Sequence, residues 1–157
     1  MFHRWAALLL VLALCAMSPK NAAGQTQSQK PRGHSAGGIG DNYPNPFNPD
    51  TYIQFTVGDE SCAGVSELHV VTMSISNVLG QRVVVPVLYG SAANTTSVPS
   101  SLNGRPITNL SLGCGSYKAY WDGKLTGSGR EAASGVYGVQ LFVDNQLVFT
   151  KKILYSK

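Results

Sequence analysis

Residues 42–57 read NYPNPFNPDTYIQFTV. Prolines stand at 44, 46 and 49 with asparagines between them, and then the pattern changes abruptly. Across residues 51–57, Ile53, Phe55 and Val57 alternate with Tyr52, Gln54 and Thr56, the period-two signature of a strand with one buried face. Each proline restricts φ and removes an amide donor. Each residue before one (Tyr43, Asn45, Asn48) is pushed toward extended backbone. The run Tyr43, Pro44, Asn45, Pro46, Phe47, Asn48, Pro49 is therefore expected to form a stiff lead-in arm that cannot itself continue a ladder. Tyr43 and Phe47 are its expected anchors against one end of a β-domain. The asparagines are expected to bond backbone groups that the sheet leaves unpaired. The competing reading is a proline-rich spacer or a docking motif for a partner.

The same alternation continues down the chain. In residues 67–78, Val71, Met73 and Ile75 oppose Thr72, Ser74 and Ser76, and a turn follows at Gly80. Residues 83–88 (VVVPVL) form another candidate strand, in which Pro86 marks an edge or a bulge. Residues 90–113 are rich in Ser, Asn and Gly and read as a long excursion, with a further strand possible only around 95–112. Residues 115–123 place Tyr117, Ala119 and Trp121 on one face and break at Asp122-Gly123. Residues 134–156 read as two strands around a tight turn at Asp144-Asn145, with Tyr137, Val139, Leu141 and Val143 on one face. Phe149, Ile153 and Tyr155 share the corresponding face of the second strand. About seven short alternating strands with no helical period between them predict an all-β antiparallel sandwich rather than a parallel sheet, an open barrel being the competitor.

Upstream, Arg4, an apolar run from Ala6 to Ala16, and Ala22-Ala23-Gly24 predict a cleavable export signal over residues 1–24. That run of 11 residues rises only ~16 Å as a helix, against a bilayer core of ~30 Å, and no later stretch is long enough to span either. Residues 25–41 are polar, Gly-rich and without period, and read as a flexible tether. The domain itself is expected to cover 42–157. The formal charge is +4, and removing Arg4 and Lys20 with the signal leaves +2. Scattered over the remaining chain, so small a charge makes no footprint for nucleic acid.

The chain has three cysteines. With Cys15 in the signal, Cys62 and Cys114 remain, and export favours a disulfide between them across 51 intervening residues. A thiolate nucleophile or a zinc ligand would need neighbours that the spacing does not supply. Gly127-Ser128-Gly129 lacks the spacing of a hydrolase elbow, and Asp59-Glu60 read as a solvated turn. Residues 122–131 fail the calcium-loop pattern, with Lys124 at the third position and Ala133 at the twelfth. Neither catalytic residues nor a cofactor or metal are expected.

Four stretches carry a resemblance: NYPNPFNPDTYIQFTV, SISNVLGQRVVV, YWDGKLTGSGREAASGVYGVQL and the terminal TKKILYSK. In this order they resemble the type A C-terminal sorting domain of proteins exported by the bacterial type IX secretion system. That domain is similar in turn to the Ig-like domain of the flagellar hook-assembly scaffold. The resemblance spans about residues 42–157. It implies an Ig-like or fibronectin-III-like sandwich and a non-catalytic role in sorting to, or attachment at, the cell surface. The implied partners are the secretion machinery or other surface proteins. Candidate recognition residues are then Asp122, Gly123, Ser134 and Gly135 in the turns, and Lys151 and Lys152 in the last strand. Those lysines equally suit a charged strand that discourages edge pairing. The rival function is a stand-alone structural or adhesive surface subunit, with the 90–113 excursion as its binding loop.

Overall fold

A computed structural model describes residues 37–59, 67–90 and 96–157. Among the described residues there is no helix, and nine strands form two antiparallel sheets. They are β1 (Gly37–Tyr43), β2 (Thr51–Val57), β3 (Leu68–Ser76), β4 (Arg82–Val84), β5 (Val87–Tyr89), β6 (Leu110–Gly113), β7 (Gly115–Trp121), β8 (Gly135–Val143) and β9 (Gln146–Tyr155). One sheet has the order β1-β2-β7-β5, and the other β4-β3-β8-β9, with β6 also paired to β3.

The alternating positions explain how the sheets associate. Ile53, Phe55 and Val57 of β2 and Tyr117, Ala119 and Trp121 of β7 are buried. So are Val71, Met73 and Ile75 of β3 and Tyr137, Val139, Leu141 and Val143 of β8. Residues of both sheets join one apolar core, giving a sandwich-like all-β architecture. Each fully buried large aliphatic or aromatic side chain contributes roughly 1.5–3 kcal/mol, which is why the period-two pattern specifies the register so firmly.

Four features differ from the sequence reading. First, β1 begins at Gly37, so residues 37–41 belong to a strand and not to a tether. They pair with β2, and their glycines allow close approach: a Cβ on Gly37 would strike the Thr56 carbonyl. Second, residues 83–88 are not one strand. The chain leaves β4 in one sheet, passes Val85-Pro86, and enters β5 in the other. Pro86 lacks a donor but its carbonyl accepts from the Ile107 N–H at 2.9 Å.

Third, the later part of the excursion is tied into both sheets. Gly104 N–H donates to Leu88 O, Leu88 N–H to Arg105 O, and Met73 N–H to Ile107 O. Ile107 is fully buried, and β6 then completes the edge of β3. A lone apolar residue among polar ones has no period to announce it. Fourth, Phe149 shares the backbone parity of Ile153 and Tyr155 but is 42 % exposed. A bulge lies nearby, where Leu141 pairs with Phe149 and Phe142 with Leu147. The hairpin turn is as expected. Asp144 and Asn145 have φ of 51° and 64°, the left-handed pair that a two-residue turn between twisted strands requires.

Candidate functional site

The lead-in arm crosses from the end of β1 to the last strand. Phe47 is buried, with its ring 4.8 Å from Tyr155 and 5.0 Å from Trp121. Its N–H donates to Leu154 O, and its carbonyl accepts from Ser156 N–H, both at 3.1 Å. The arm thus makes one isolated bridge to the last strand, at Phe47, without forming a ladder of its own. The Tyr43-Pro44, Asn45-Pro46 and Asn48-Pro49 peptides are cis. Tyr43 is not an anchor: it is 80 % exposed, on the outward face beside Tyr52. Asn42, just before the arm, is buried and donates to Pro44 O at 3.0 Å and Thr51 Oγ1 at 3.2 Å. Thr51 Oγ1 donates to the same carbonyl at 3.0 Å, so these contacts shape the bend.

The expected turns lie at the same end of the molecule. Gly123 is buried with φ of 76°, and a Cβ there would strike the Pro49 carbonyl. Asp122 is exposed, and its Oδ1 accepts from Lys124 N–H at 3.0 Å. Trp121 Nε1 donates to Lys124 O at 2.9 Å, and Tyr137 meets the Trp121 ring edge-on at 5.2 Å. Ser134 Oγ accepts from Lys157 N–H at 3.0 Å, holding the chain end to the start of β8. The arm, the Asp122-Gly123 turn, the Ser134-Gly135 turn and the last strand thus converge on one aromatic cluster of Phe47, Trp121, Tyr137 and Tyr155.

The two lysines differ. Lys152 is exposed on the outward face of β9. Lys151 turns inward, and its amine donates to Gly40 O and Asp41 Oδ1, both at 2.7 Å. That lysine holds Asp41 below its ordinary pKa, first by hydrogen bonding and then by charge. Its charge is thus spent within the domain, across the gap between β9 and β1.

Cys62, the expected disulfide partner of Cys114, lies outside the described residues. His69 Nδ1 sits 2.8 Å from Asp144 Oδ2, and its Nε2 is 3.6 Å from Cys114 Sγ. The carboxyl of Asp144 is held low first by His69 and then by the Val70 N–H. No cluster of three or more His, Cys, Asp or Glu able to hold a metal occurs among the described residues.

Two surface features had no reading in the sequence. Tyr52, Tyr89 and Tyr120 cluster on the outward face of the four-stranded sheet, with ring centroids 4.9–6.3 Å apart, and Tyr43 extends the row. Burial raises the phenols of Tyr52 and Tyr120. The contact with Tyr89 adds to this for Tyr52, and Asp50 does so for Tyr120. The signal was present in the alternation, since Tyr52 and Tyr120 occupy the outward parity of their strands. It needed the β2–β7 register, which puts them opposite each other. The second feature is a trough of about 510 Å³ on the outward face of the five-stranded sheet, bordered by Arg82 and Phe142.

No protein-family model matches the chain, and no curated protein matches it. Among solved structures it is similar to the Pseudomonas fluorescens alkylpurine DNA glycosylase AlkC bound to DNA containing an abasic site analog. The identity is 16 % and the TM-score 0.44, over 78 % of this chain and 31 % of that one. The chain thus spans less than a third of that protein's length, and nothing follows for it from so slight a likeness.

Proposed function

We propose that the chain is a non-catalytic, exported Ig-like module that sorts to, or attaches at, the bacterial cell surface through the type IX route. One observation carries the reading: three of the four stretches on which the resemblance rests meet at a single end of the domain. Phe47 from the arm, Trp121 before the turn, Tyr137 of β8 and Tyr155 of β9 close one cluster, leaving Asp122, Ser134 and Lys152 exposed nearby or along the last strand. An Ig-like sandwich is supported by the strand orders β1-β2-β7-β5 and β3-β8-β9, which follow the ABED and CFG orders of that fold. It is supported too by Tyr137, whose hydroxyl donates to Ala133 O at 2.7 Å in the manner of a tyrosine corner. Tyr117 repeats the contact with Gly113 O at 2.8 Å. A Cys62–Cys114 bridge and a cleaved signal over residues 1–24 belong to the same proposal, and both suit an exported protein.

The test is to fuse residues 37–157 behind an unrelated exported protein in a bacterium with a type IX system, and to probe the passenger with external protease. Delivery to the surface is expected for 37–157 and not for 42–157, which lacks most of β1. Retention of both fusions in the periplasm, with 37–157 folded, would sink the sorting role. The tyrosine face favours the second reading, an adhesive or structural subunit, because clustered half-buried tyrosines on an outward sheet face suit protein contacts. That reading predicts no transfer of the passenger, together with self-association or capture of a surface partner that Tyr52→Ser and Tyr120→Ser abolish.

A further inference from the structure

We propose that the trough on the outward face of the five-stranded sheet is a binding site for an acidic saccharide. Its floor is made by small outward residues of β3, Thr72 and Ser74, whose cross-strand partners on β8 are the larger Phe142 and Gln140. Arg82 of β4 borders one side, with Asn109 and Asn145 along the rim. Small residues in the middle and long ones around them turn a normally flat sheet face into a depression. Its volume of about 510 Å³ lies within the range of ligand sites.

The chemistry of the lining selects the ligand. No carboxylate lines the trough, and its one charge is the Arg82 guanidinium. The ion pairs described involve His69, Lys124, Lys151 and Lys157, so Arg82 is left with no carboxylate partner among the described residues. A guanidinium fork matches a carboxylate in two parallel bonds. The amides of Asn109, Gln140 and Asn145 offer donors and acceptors together, as a ring of sugar hydroxyls requires. Phe142 supplies one apolar face for a sugar ring. Asn109 is fixed in a left-handed backbone with φ of 49°, its N–H donating to Thr72 Oγ1 at 3.0 Å and its Oδ1 accepting from that hydroxyl at 3.2 Å. That wall is therefore pre-set before any ligand arrives. An extended peptide could not add a strand here, because β3 is paired with β8 on one side and with β4 and β6 on the other. Recognition must run through side chains. None of the candidate recognition residues lines this site, and it does not depend on the sorting reading.

The test is an amide NMR titration of the full chain with a galacturonic acid trisaccharide, a galactose trisaccharide and a triglutamate peptide. The expected result is shift changes centred on Thr72, Ser74, Asn109, Gln140 and Asn145. The acidic sugar should bind roughly tenfold tighter than the neutral one, the difference one charge-assisted contact makes. Arg82→Gln should abolish that preference, and Phe142→Leu, which keeps apolar bulk but removes the ring, should weaken both sugars. Unchanged shifts elsewhere in each variant report that it is folded, and Lys118→Gln on the opposite sheet should alter nothing. The proposal is overturned if the trough amides stay still, if shifts gather on the tyrosine face, or if Arg82→Gln leaves the acidic preference intact. Triglutamate binding as tightly as the acidic sugar would also overturn it, by making the trough a general carboxylate site.

Discussion

Phe47 shows how much one side chain in an irregular segment can contribute. It is 1 % exposed, stacks on Tyr155, and pins the arm to the last strand through two backbone hydrogen bonds. Phe47→Ala should destabilise the fold by ~3–5 kcal/mol, read from urea unfolding, because it opens a cavity beside the Tyr155 and Trp121 rings. Tyr43→Ala, four residues earlier and exposed, should change the unfolding free energy by no more than ~0.5 kcal/mol. Both positions look equally suited to anchoring in the sequence. Their partners separate them: Tyr43 lies opposite Tyr52 of β2 on the outward face, whereas Phe47 is bridged to Tyr155 of β9, a contact that residue numbers do not reveal.

Asp144 gives a prediction in pH. Its folded pKa is depressed, so its contribution is present above the ordinary value of 3.8 and is lost as pH falls through the lower folded value. Asp144→Asn should therefore be less stable than the parent near neutral pH, and the two should converge as pH falls below the lowered folded value, as urea midpoints would report. The side chain is 53 % exposed, so solvent screening keeps the difference modest. A difference that stayed undiminished at the acid end, where the carboxyl is protonated, would contradict this role for Asp144.

At the scale of elements, β9 is the strand whose exposure needs managing. Leu147, Phe149 and Leu154 are 53 %, 42 % and 40 % exposed on the second strand of the last hairpin. Among the described residues, only its end is paired beyond β8, through Phe47 and Tyr155. An inward charge such as Lys151, held by Gly40 and Asp41, is one device that keeps such an edge from pairing with a second copy. Lys151→Val should leave the fold intact but promote self-association at high concentration, measurable by sedimentation velocity. A strictly monomeric variant would argue that the ion pair serves only to hold β1. The sequence leaves this lysine open between recognition and edge protection, and its geometry favours the second.

The elements themselves were legible to different degrees. β2, β3, β7, β8 and the turn at Asp144-Asn145 stand out because both their periodicity and their turn residues are local. β4 and β5 do not, since VVVPVL reads as one apolar run and only the surrounding sheets show that it changes layers at Pro86. β1 was hidden in a Gly-rich stretch, where Ile39 and Asn42 are the only large buried side chains in the strand. The recognition turns were legible as positions, but their convergence with the arm was not.

For the whole molecule, the expected cross-link would close a loop of 51 intervening residues. Cys114→Ser should lower the unfolding free energy by ~2–4 kcal/mol in the same urea assay, with reducing agent bringing the parent to the same midpoint. If reductant leaves the parent unchanged, the bridge does not hold the fold. Alternation along single strands was enough to establish an all-β chain, its main inward residues and its hairpin, because strand parity and turn geometry are set by neighbouring residues. Pairings between distant segments decided the rest: which sheet each half of residues 82–89 joins, that Ile107 belongs to the core, and that Lys151 faces β1. The same pairings bring the tyrosines of β2, β5 and β7 together and set Arg82 at the border of a trough floored by Thr72 and Ser74. These depend on contacts between residues tens of positions apart, and no local pattern in the chain encodes which distant partner a strand will meet.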